Sequence, residues 1–427
     1  MRICVLGLSQ LGAISAAGLA SLGHRVTGLD FDESRIAPLA SGVAPGSEPG
    51  LEPLLRQGLS AGRLRFSSNV GDATRDIDVL WIACDVPLDN GNAAGTDEVL
   101  GQIERVLPAL GADTLVLVCS HLPVGTVRRL EWTAALSGPG APVRVACSPE
   151  NLRAGSAVSD FLHRGRLVVG VRSELDKPPL LELLGPICGS IEWTTVESAE
   201  MTRHAINAFL ATSMSFANEL ASMCESVGAD AREVERGLRS DSRIGAAACL
   251  VPGAAFADSA LERDVAFLNR TAREHGVDTP LLFAVLSGND ANRSCIRNRL
   301  RLLFPDLSRV TVAIWGLVRG SDTGTRLAPT SVELCTWLLH EGARIQLHAA
   351  EVSIPPDQWG AGVRLDQDAL AAVRGAQVLV IAADSPIYQS ISREQLLQCT
   401  DALVVLDTYE VLPHLAGDDA RLKYLVA

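Results

Sequence analysis

Residues 2–30 read RICVLGLSQLGAISAAGLASLGHRVTGLD, and this stretch decides the fold of the first half of the chain. Residues 2–8 are a short apolar run followed by a turn. Residues 10–22 carry helical spacing through Leu11, Ile14, Ala17 and Leu19 and stop at Gly23. Residues 25–30 are a second β-like run that closes on an acid, Asp30. Strand, helix, strand is a βαβ unit. Its turn, Gly7-Leu8-Ser9-Gln10-Leu11-Gly12, is a variant of G-x-G-x-x-G, in which the middle glycine lets the backbone approach a pyrophosphate. Here that position is Ser9. A serine is small, and the turn still offers backbone N–H groups and a helix N-terminus to phosphates. An acid placed like Asp30 accepts hydrogen bonds from ribose hydroxyls and repels a 2′-phosphate, which favours NAD over NADP. Arg35 either neutralises Asp30 or flanks the adenosine. The rival reading is a Rossmann fold that has lost its cofactor.

Working outward, buried-strand candidates follow at 78–83, 114–119, 143–147 and 166–171, with helical stretches between several of them. This pattern predicts a parallel doubly wound sheet over about 1–190. Residues 196–240 change character. They keep helical periodicity without proline, which predicts a long helix and then a shorter one, with apolar positions that exceed one stripe. Helices are expected to continue over 259–286 and 289–303. A second α/β pattern begins after FPDLS, with strand candidates at 309–316, 343–348, 376–383 and 401–406. The expected architecture is α/β: two Rossmann-like doubly wound parallel-sheet domains, 1–192 and 305–427, joined by a long central helix in a helical domain, 193–304.

Composition narrows the function. The 427 residues carry a formal net charge of −13, which argues against a general nucleic-acid or anionic-membrane binder. At 4% aromatics, a stacking platform for single strands is also disfavoured. No apolar stretch reaches the ~18–20 residues of a membrane-spanning helix. The N-terminus superficially resembles a signal peptide, but Ser9 and Gln10 break its apolar run, so a cytoplasmic protein is expected. Ten dispersed cysteines form no C-x-x-C and no His-paired spacing, which fits buried free thiols better than disulfides or a zinc site. Of 37 basic residues only Lys177 and Lys423 are lysines.

Several segments resemble the UDP-glucose/GDP-mannose dehydrogenase family nearly end to end. GLDFDESRI (28–36) resembles its ribose-binding strand end, SEPGLEPLL (47–55) its E-P-G-L segment, and HLPVGT (121–126) its P-V-G-T loop. SPENLRAGSAVSDFL (148–162) resembles S-P-E-F-L-R-E-G-x-A-x-x-D-F. AEMTRHAINAFLA (199–211) resembles A-E-x-x-K-x-x-x-N-A-F-L-A. SFANELA (215–221), SRIG (242–245) and PGAAFADSALERDV (252–265) follow in family order. The resemblance implies an NAD domain, a central helix forming a homodimer, and a C-terminal domain that helps bind a sugar nucleotide. It implies cofactor contacts at Gly7, Ser9, Gln10, Leu11, Gly12, Asp30, Arg35, Val86, Pro87 and Ser120. It implies substrate contacts at Asn151, Leu152, Arg153, Phe256, Arg263 and Arg326.

The family reaction is a double oxidation of a primary alcohol to a carboxylate through a cysteine thioester, and here the sequence departs from it. The cysteine of G-G-S-C-F-P-K-D aligns with Ala260, which cannot form a covalent intermediate. The central-helix lysine is Arg203, the lysine after the cysteine is Arg263, the second glutamate of S-P-E-F-L-R-E is Ala154, and its phenylalanine is Asn151. Val86 and His121 stand where the family has threonines, and Ala349-Ala350 replaces an Asp-Pro. Glu150, Asn207 and Asp264 survive. Arg203 and Asn207 are one helical turn apart on one face. A guanidinium keeps its proton and is no base, but it stabilises a developing alkoxide. His121 is a new general acid/base candidate, weighed against a structural histidine. His204 is expected to be structural. Cys147 and Cys249 are read as buried hydrophobes rather than substitute nucleophiles. The expectation is an NAD-dependent enzyme that does two-electron carbinol/carbonyl chemistry, or transient oxidation and reduction giving an epimer, on a nucleotide sugar. The rival is a catalytically silent binder or scaffold.

Overall fold

A computed structural model describes residues 1–86, 94–111, 113–136, 144–150, 152–153, 155–256, 260–317, 328–349, 357–417 and 419–426. The chain divides into two compact units, residues 1–206 and 207–427. In the first, the strands are β1 Arg2–Leu6, β2 Arg25–Leu29, β3 Leu64–Ser67, β4 Val79–Ile82, β5 Leu115–Val118, β6 Arg144–Cys147, β7 Arg164–Gly170 and β8 Cys188–Thr194. They form one sheet in the order β3-β2-β1-β4-β5-β6-β7-β8. The central strands are apolar throughout because both faces are covered: every residue of VLWI in β4 and LVLV in β5 is buried. The βαβ unit is present, with helix α1 spanning Gln10–Ser21 between β1 and β2.

The expected parallel doubly wound sheet is present with one local departure: β6 and β7 pair antiparallel, Cys147 opposite Gly170. A parallel partner needs a crossover that packs back on the sheet. The connection between these two strands is instead occupied by residues 148–163, the segment that carries the candidate site, and β7 returns alongside β6. β8 then resumes parallel pairing with β7.

Helix α2 spans Thr126–Leu136, and the long helix α3 spans Val196–Val227. The boundary between the units falls within α3. The second unit continues with α4 Ala231–Ser240, α5 Ala260–Glu274, α6 Pro280–Arg293 and α7 Cys295–Leu303. The helix expected over 259–286 is therefore two. The break carries Gly276 at φ +64°, and Pro280 starts α6 as a helix-compatible first residue. A six-stranded parallel sheet follows: β9 Thr311–Trp315, β10 Arg344–His348, β11 Val363–Asp366, β12 Val378–Ile381, β13 Leu403–Asp407 and β14 Leu422–Val426. Its order is β11-β10-β9-β12-β13-β14, so its direction reverses between β9 and β12, with helix α8 (Pro329–His340) leaving β9. No described helix is long and apolar enough to cross a membrane.

Candidate functional site

The turn after β1 is shaped by two positions that exclude a side chain. Gly7 has φ +88°, and a Cβ there would lie 2.7 Å from the Cys84 Cα. A Cβ on Gly12 would lie 1.7 Å from the Gly7 carbonyl oxygen. Ser9 precedes α1 in extended backbone and makes no side-chain cap, and its Oγ is buried without a hydrogen-bond partner. A buried hydroxyl left unsatisfied beside a helix N-terminus suits a phosphate oxygen. Asp30 is buried at the end of β2. It accepts hydrogen bonds from Leu8 N at 2.7 Å, Asp32 N at 2.9 Å and the Arg35 guanidinium at 3.3 Å. An ionised carboxylate has about four lone-pair sites, so one remains for a ribose hydroxyl. Asp30 thus both fixes the turn and completes a seat that fits NAD. Val86 is buried just beyond β4, and the Ser120 hydroxyl beyond β5 donates to the Ile82 carbonyl at 3.4 Å. Leu11 packs against the core. Pro87 lies outside the described residues.

Glu48 clasps this turn to the site segment, a role the sequence reading missed. Its buried carboxylate accepts from Gln10 Nε2 at 3.1 Å, Gly155 N at 2.9 Å and Ala157 N at 2.7 Å. The signal was present in the sequence, since Glu48 opens the E-P-G-L segment.

Glu150 is 1% exposed, and Arg164 meets it with both terminal nitrogens, at 2.9 and 2.6 Å. Arg164 Nε also donates to the Phe161 carbonyl at 3.1 Å. The Glu150 carbonyl accepts from His121 Nε2 at 2.5 Å; a carbonyl only accepts, so this nitrogen carries the proton. The His121 loop is held from α3. Buried Glu200 accepts from Gly125 N at 2.8 Å and Val127 N at 3.0 Å, capping α2, and His204 Nε2 donates to the Leu122 carbonyl at 2.9 Å. Burial raises the Glu200 carboxyl above its ordinary range, and these two N–H groups partly oppose that. Glu150, Leu152, Arg153, Arg164, Arg166 and buried Arg203 line an open cleft of about 570 Å³ within the first unit. Arg153 faces this cleft but is committed to Asp160 through two hydrogen bonds, at 3.0 and 2.9 Å. That pairing holds the Asp160 carboxyl down at about 2.

In the second unit Asn207 Nδ2 donates to Asp264 Oδ2 at 2.6 Å, with both residues buried. Arg263 Nε lies 3.6 Å from the other Asp264 oxygen. Ala260 is the first residue of α5, one turn before Asp264. Phe256, read from the sequence as a substrate contact, is buried. Its ring packs with Ala208, Ala211, Val265 and Val285, and Asn289 holds its backbone N–H and carbonyl. Asn151, Ala154 and Arg326 lie outside the described residues. All ten cysteines are free. Complete burial pushes the Cys147 thiol well above its ordinary range, as suits an inert hydrophobe.

Comparison with known proteins agrees with this layout. Residues 1–186 match the UDP-glucose/GDP-mannose dehydrogenase family NAD binding domain, and residues 197–291 match the family's central domain. A UDP-glucose 6-dehydrogenase of Pseudomonas aeruginosa is 33% identical over 410 residues, 92% of this chain and 90% of the relative. The Bacillus subtilis UDP-glucose 6-dehydrogenase YwqF is 31% identical over 387 residues, 90% of this chain and 88% of the relative. The structure of a UDP-glucose dehydrogenase from Pyrobaculum islandicum superposes with a TM-score of 0.84 at 29% identity, covering 96% of this chain and 94% of that one. A turn without room for side chains, an acid at the end of the second strand, and homology along nine-tenths of the length point one way: the chain belongs to the UDP-glucose/GDP-mannose dehydrogenase family and has its NAD-binding domain.

Proposed function

We propose that the protein is an NAD-dependent oxidoreductase of a nucleotide sugar that is limited to two-electron steps. It oxidises a carbinol to a carbonyl, or oxidises transiently and returns the hydride to give an epimer. The observation that carries this reading is Ala260, a methyl group at the position aligned with the family's nucleophile. Neither a thioester nor the second oxidation that depends on it can form there. Cys147 offers no substitute, because its thiol is buried and its pKa raised.

Gly7, Ser9, Gly12, the N-terminus of α1 and Asp30 hold the cofactor, which when bound supplies a hydride acceptor. Oxidation also releases the carbinol proton. His121, held through Nε2 at the Glu150 carbonyl, takes that proton as general base. Arg203 keeps its charge and stabilises the developing alkoxide without acting as base. Asn207 and Asp264 position each other through their 2.6 Å bond beside the site. The active form is a homodimer of two copies of this chain. Ile206, Phe209, Phe216, Met223 and Val227 are exposed on α3 at spacings of three, seven, seven and four, a stripe that suits helix-to-helix packing.

A second reading, a catalytically silent nucleotide-sugar binder, is favoured by one specific contact. Arg164 neutralises Glu150, hydrogen-bonding one of its oxygens and ion-pairing with the other, so that carboxylate is committed within the protein. One experiment separates the two. Purified protein is incubated with NAD and a panel of UDP-, GDP- and ADP-sugars, with reduced cofactor followed by absorbance and sugars by NMR. One reduced cofactor per carbonyl product, or an epimer without net reduction, is expected. Two reduced cofactors and a uronate would overturn the two-electron reading, and absence of turnover together with absence of tight NAD binding would favour the silent binder.

A further inference from the structure

Glu48 stands between two parts of the first unit that lie far apart in the chain: the cofactor turn after β1 and the segment that runs from Glu150 to Arg164. It is 6% exposed. It sits just before a helix, Leu51–Ser60, whose Leu51 and Leu55 are fully buried in the core, so its backbone has a firm seat. From the turn comes one donor, Gln10 Nε2 at 3.1 Å, and Gln10 is the first residue of α1. From the segment come two, Gly155 N at 2.9 Å and Ala157 N at 2.7 Å.

The way these bonds divide between the two oxygens matters. Oε2 accepts from both Gln10 and Gly155, and Oε1 accepts from Ala157. One oxygen therefore joins the turn to the segment, and the other braces the segment two residues on. Beyond Ala157 the segment is held as one piece. Asp160 accepts from Arg153 N at 3.2 Å and from Ser156 Oγ at 3.1 Å. In the short helix Ala157–Leu162, Phe161 is fully buried, and its ring lies so close to α1 that a Cβ on Gly18 would fall 2.5 Å from it. The Arg164 guanidinium lies 4.5 Å over that ring, donates to the Phe161 carbonyl and meets Glu150. A displacement of residues 155–157 thus reaches the Glu150–Arg164 pair through hydrogen bonds and packed side chains.

We infer that Glu48 is a positioning residue that transmits occupancy of the cofactor turn to residues 155–164, and so sets the Glu150–Arg164 pair when NAD is held. With the turn occupied, the start of α1 is fixed. Gln10 then holds Glu48 Oε2 in place, and the same oxygen fixes Gly155. Coupling of this kind is reciprocal, so order in the segment also favours the cofactor. The inference rests on the turn holding NAD and not on the number of electrons transferred. A uronate product would overturn the proposed chemistry and leave the role of Glu48 standing.

The test reads amide hydrogen exchange by mass spectrometry on the full-length protein, with and without saturating NAD. In the unaltered protein NAD should slow exchange in the turn, residues 7–14, and also in residues 155–162, the latter by about fivefold or more, the low end of coupling between sites. Two substitutions cut the link at different ends. Gln10→Ala removes the turn's donor and leaves both backbone bonds to Glu48. Glu48→Gln keeps the size and shape, but its amide accepts at one atom where the donors need two, so its nitrogen faces a backbone N–H whichever way it turns. In each variant NAD should still slow exchange in 7–14, while the response at 155–162 falls below about twofold. Gln10→Ala carries the decision if Glu48→Gln melts lower, because it spares the segment's own bonds. A Glu48 that only stabilises the fold would give faster exchange at 155–162 equally with and without NAD, and that result would overturn the inference. So would a segment that does not respond to NAD in the unaltered protein, or a full response retained in Gln10→Ala. Loss of NAD protection in the turn itself in Gln10→Ala would do the same, since Gln10 would then act on the cofactor and not through Glu48.

Discussion

Replacing Arg164 by methionine isolates what the buried ion pair on Glu150 contributes. The variant keeps an unbranched side chain of similar reach but loses the charge, the hydrogen bond to one Glu150 oxygen at 2.9 Å, the ion pair with the other at 2.6 Å, and the bond to the Phe161 carbonyl. Arg164 and Glu150 side chains are 7% and 1% exposed, so water does not replace the lost partner. Removing one partner of such a pair costs about 3–5 kcal/mol, because a charge is left buried and uncompensated. For a unit of roughly 200 residues, each kcal/mol shifts melting by about 2–4 °C. The first unit should therefore melt about 6–20 °C lower at pH 7. A stranded carboxylate escapes its penalty by taking up a proton, so the deficit should shrink at pH 5. The double variant with Glu150→Gln has no stranded charge and should recover most of the loss. Thermal denaturation followed by tryptophan fluorescence measures this, since Trp81 is fully buried in the core of this unit. A deficit under about 1 kcal/mol, equal deficits at both pH values, or a double variant no better than the single would refute the reasoning.

Three further outcomes follow from the geometry. Gly12→Ala forces a Cβ to within 1.7 Å of the Gly7 carbonyl and should abolish NAD binding by calorimetry; tight binding in that variant would remove the turn from the cofactor seat. Glu200 has its folded pKa raised by burial above the ordinary 4.5, so the native state holds the extra proton and stability falls as pH rises from 4.5 through the raised value. Glu200→Gln should flatten that part of the profile in urea midpoints taken between pH 4.5 and 7, and an unchanged slope would count against the assignment. Phe216→Asp places a charge in the exposed stripe of α3 and should convert a dimer to a monomer in sedimentation; an unaltered sedimentation coefficient would place the interface elsewhere.

What the sequence made legible has a physical pattern. The strands read correctly, such as β1, β4 and β5, lie inside their sheets and are apolar because both faces are covered. The four that escaped notice, β3, β8, β11 and β14, are the edges of the two sheets. Their residues are largely half-buried or exposed, so the apolar run that marks a strand is diluted. The cofactor turn was legible because its constraints are local: glycines and an acid within thirty residues. The Glu150–Arg164 pair was not, because it depends on the antiparallel return of β7, which brings residue 164 back to residue 150. Glu48 escaped for the same reason, joining positions more than a hundred residues apart.

The scarcity of lysine decides how the altered residues should be weighed. With two lysines in 427 residues, a guanidinium is the default cation of this chain. It bridges acids throughout: Arg172 joins Glu131 and Glu197, and Arg232 joins Glu235 and Glu410. Arginine at 203 and 263 is therefore weak evidence of altered chemistry by itself, although it excludes a lysine base at either place. Arg164 differs in kind, because it engages both oxygens of one buried carboxylate, a two-point contact that an ammonium does not reproduce. Alanine at 260 differs again. No general preference for arginine produces it, and it removes a functional group instead of exchanging one cation for another. The cofactor seat keeps a turn and an acid that fit NAD, whereas position 260 is an alanine with no group for acyl transfer. On that division rests the reading that the chain kept one half of a two-step oxidation.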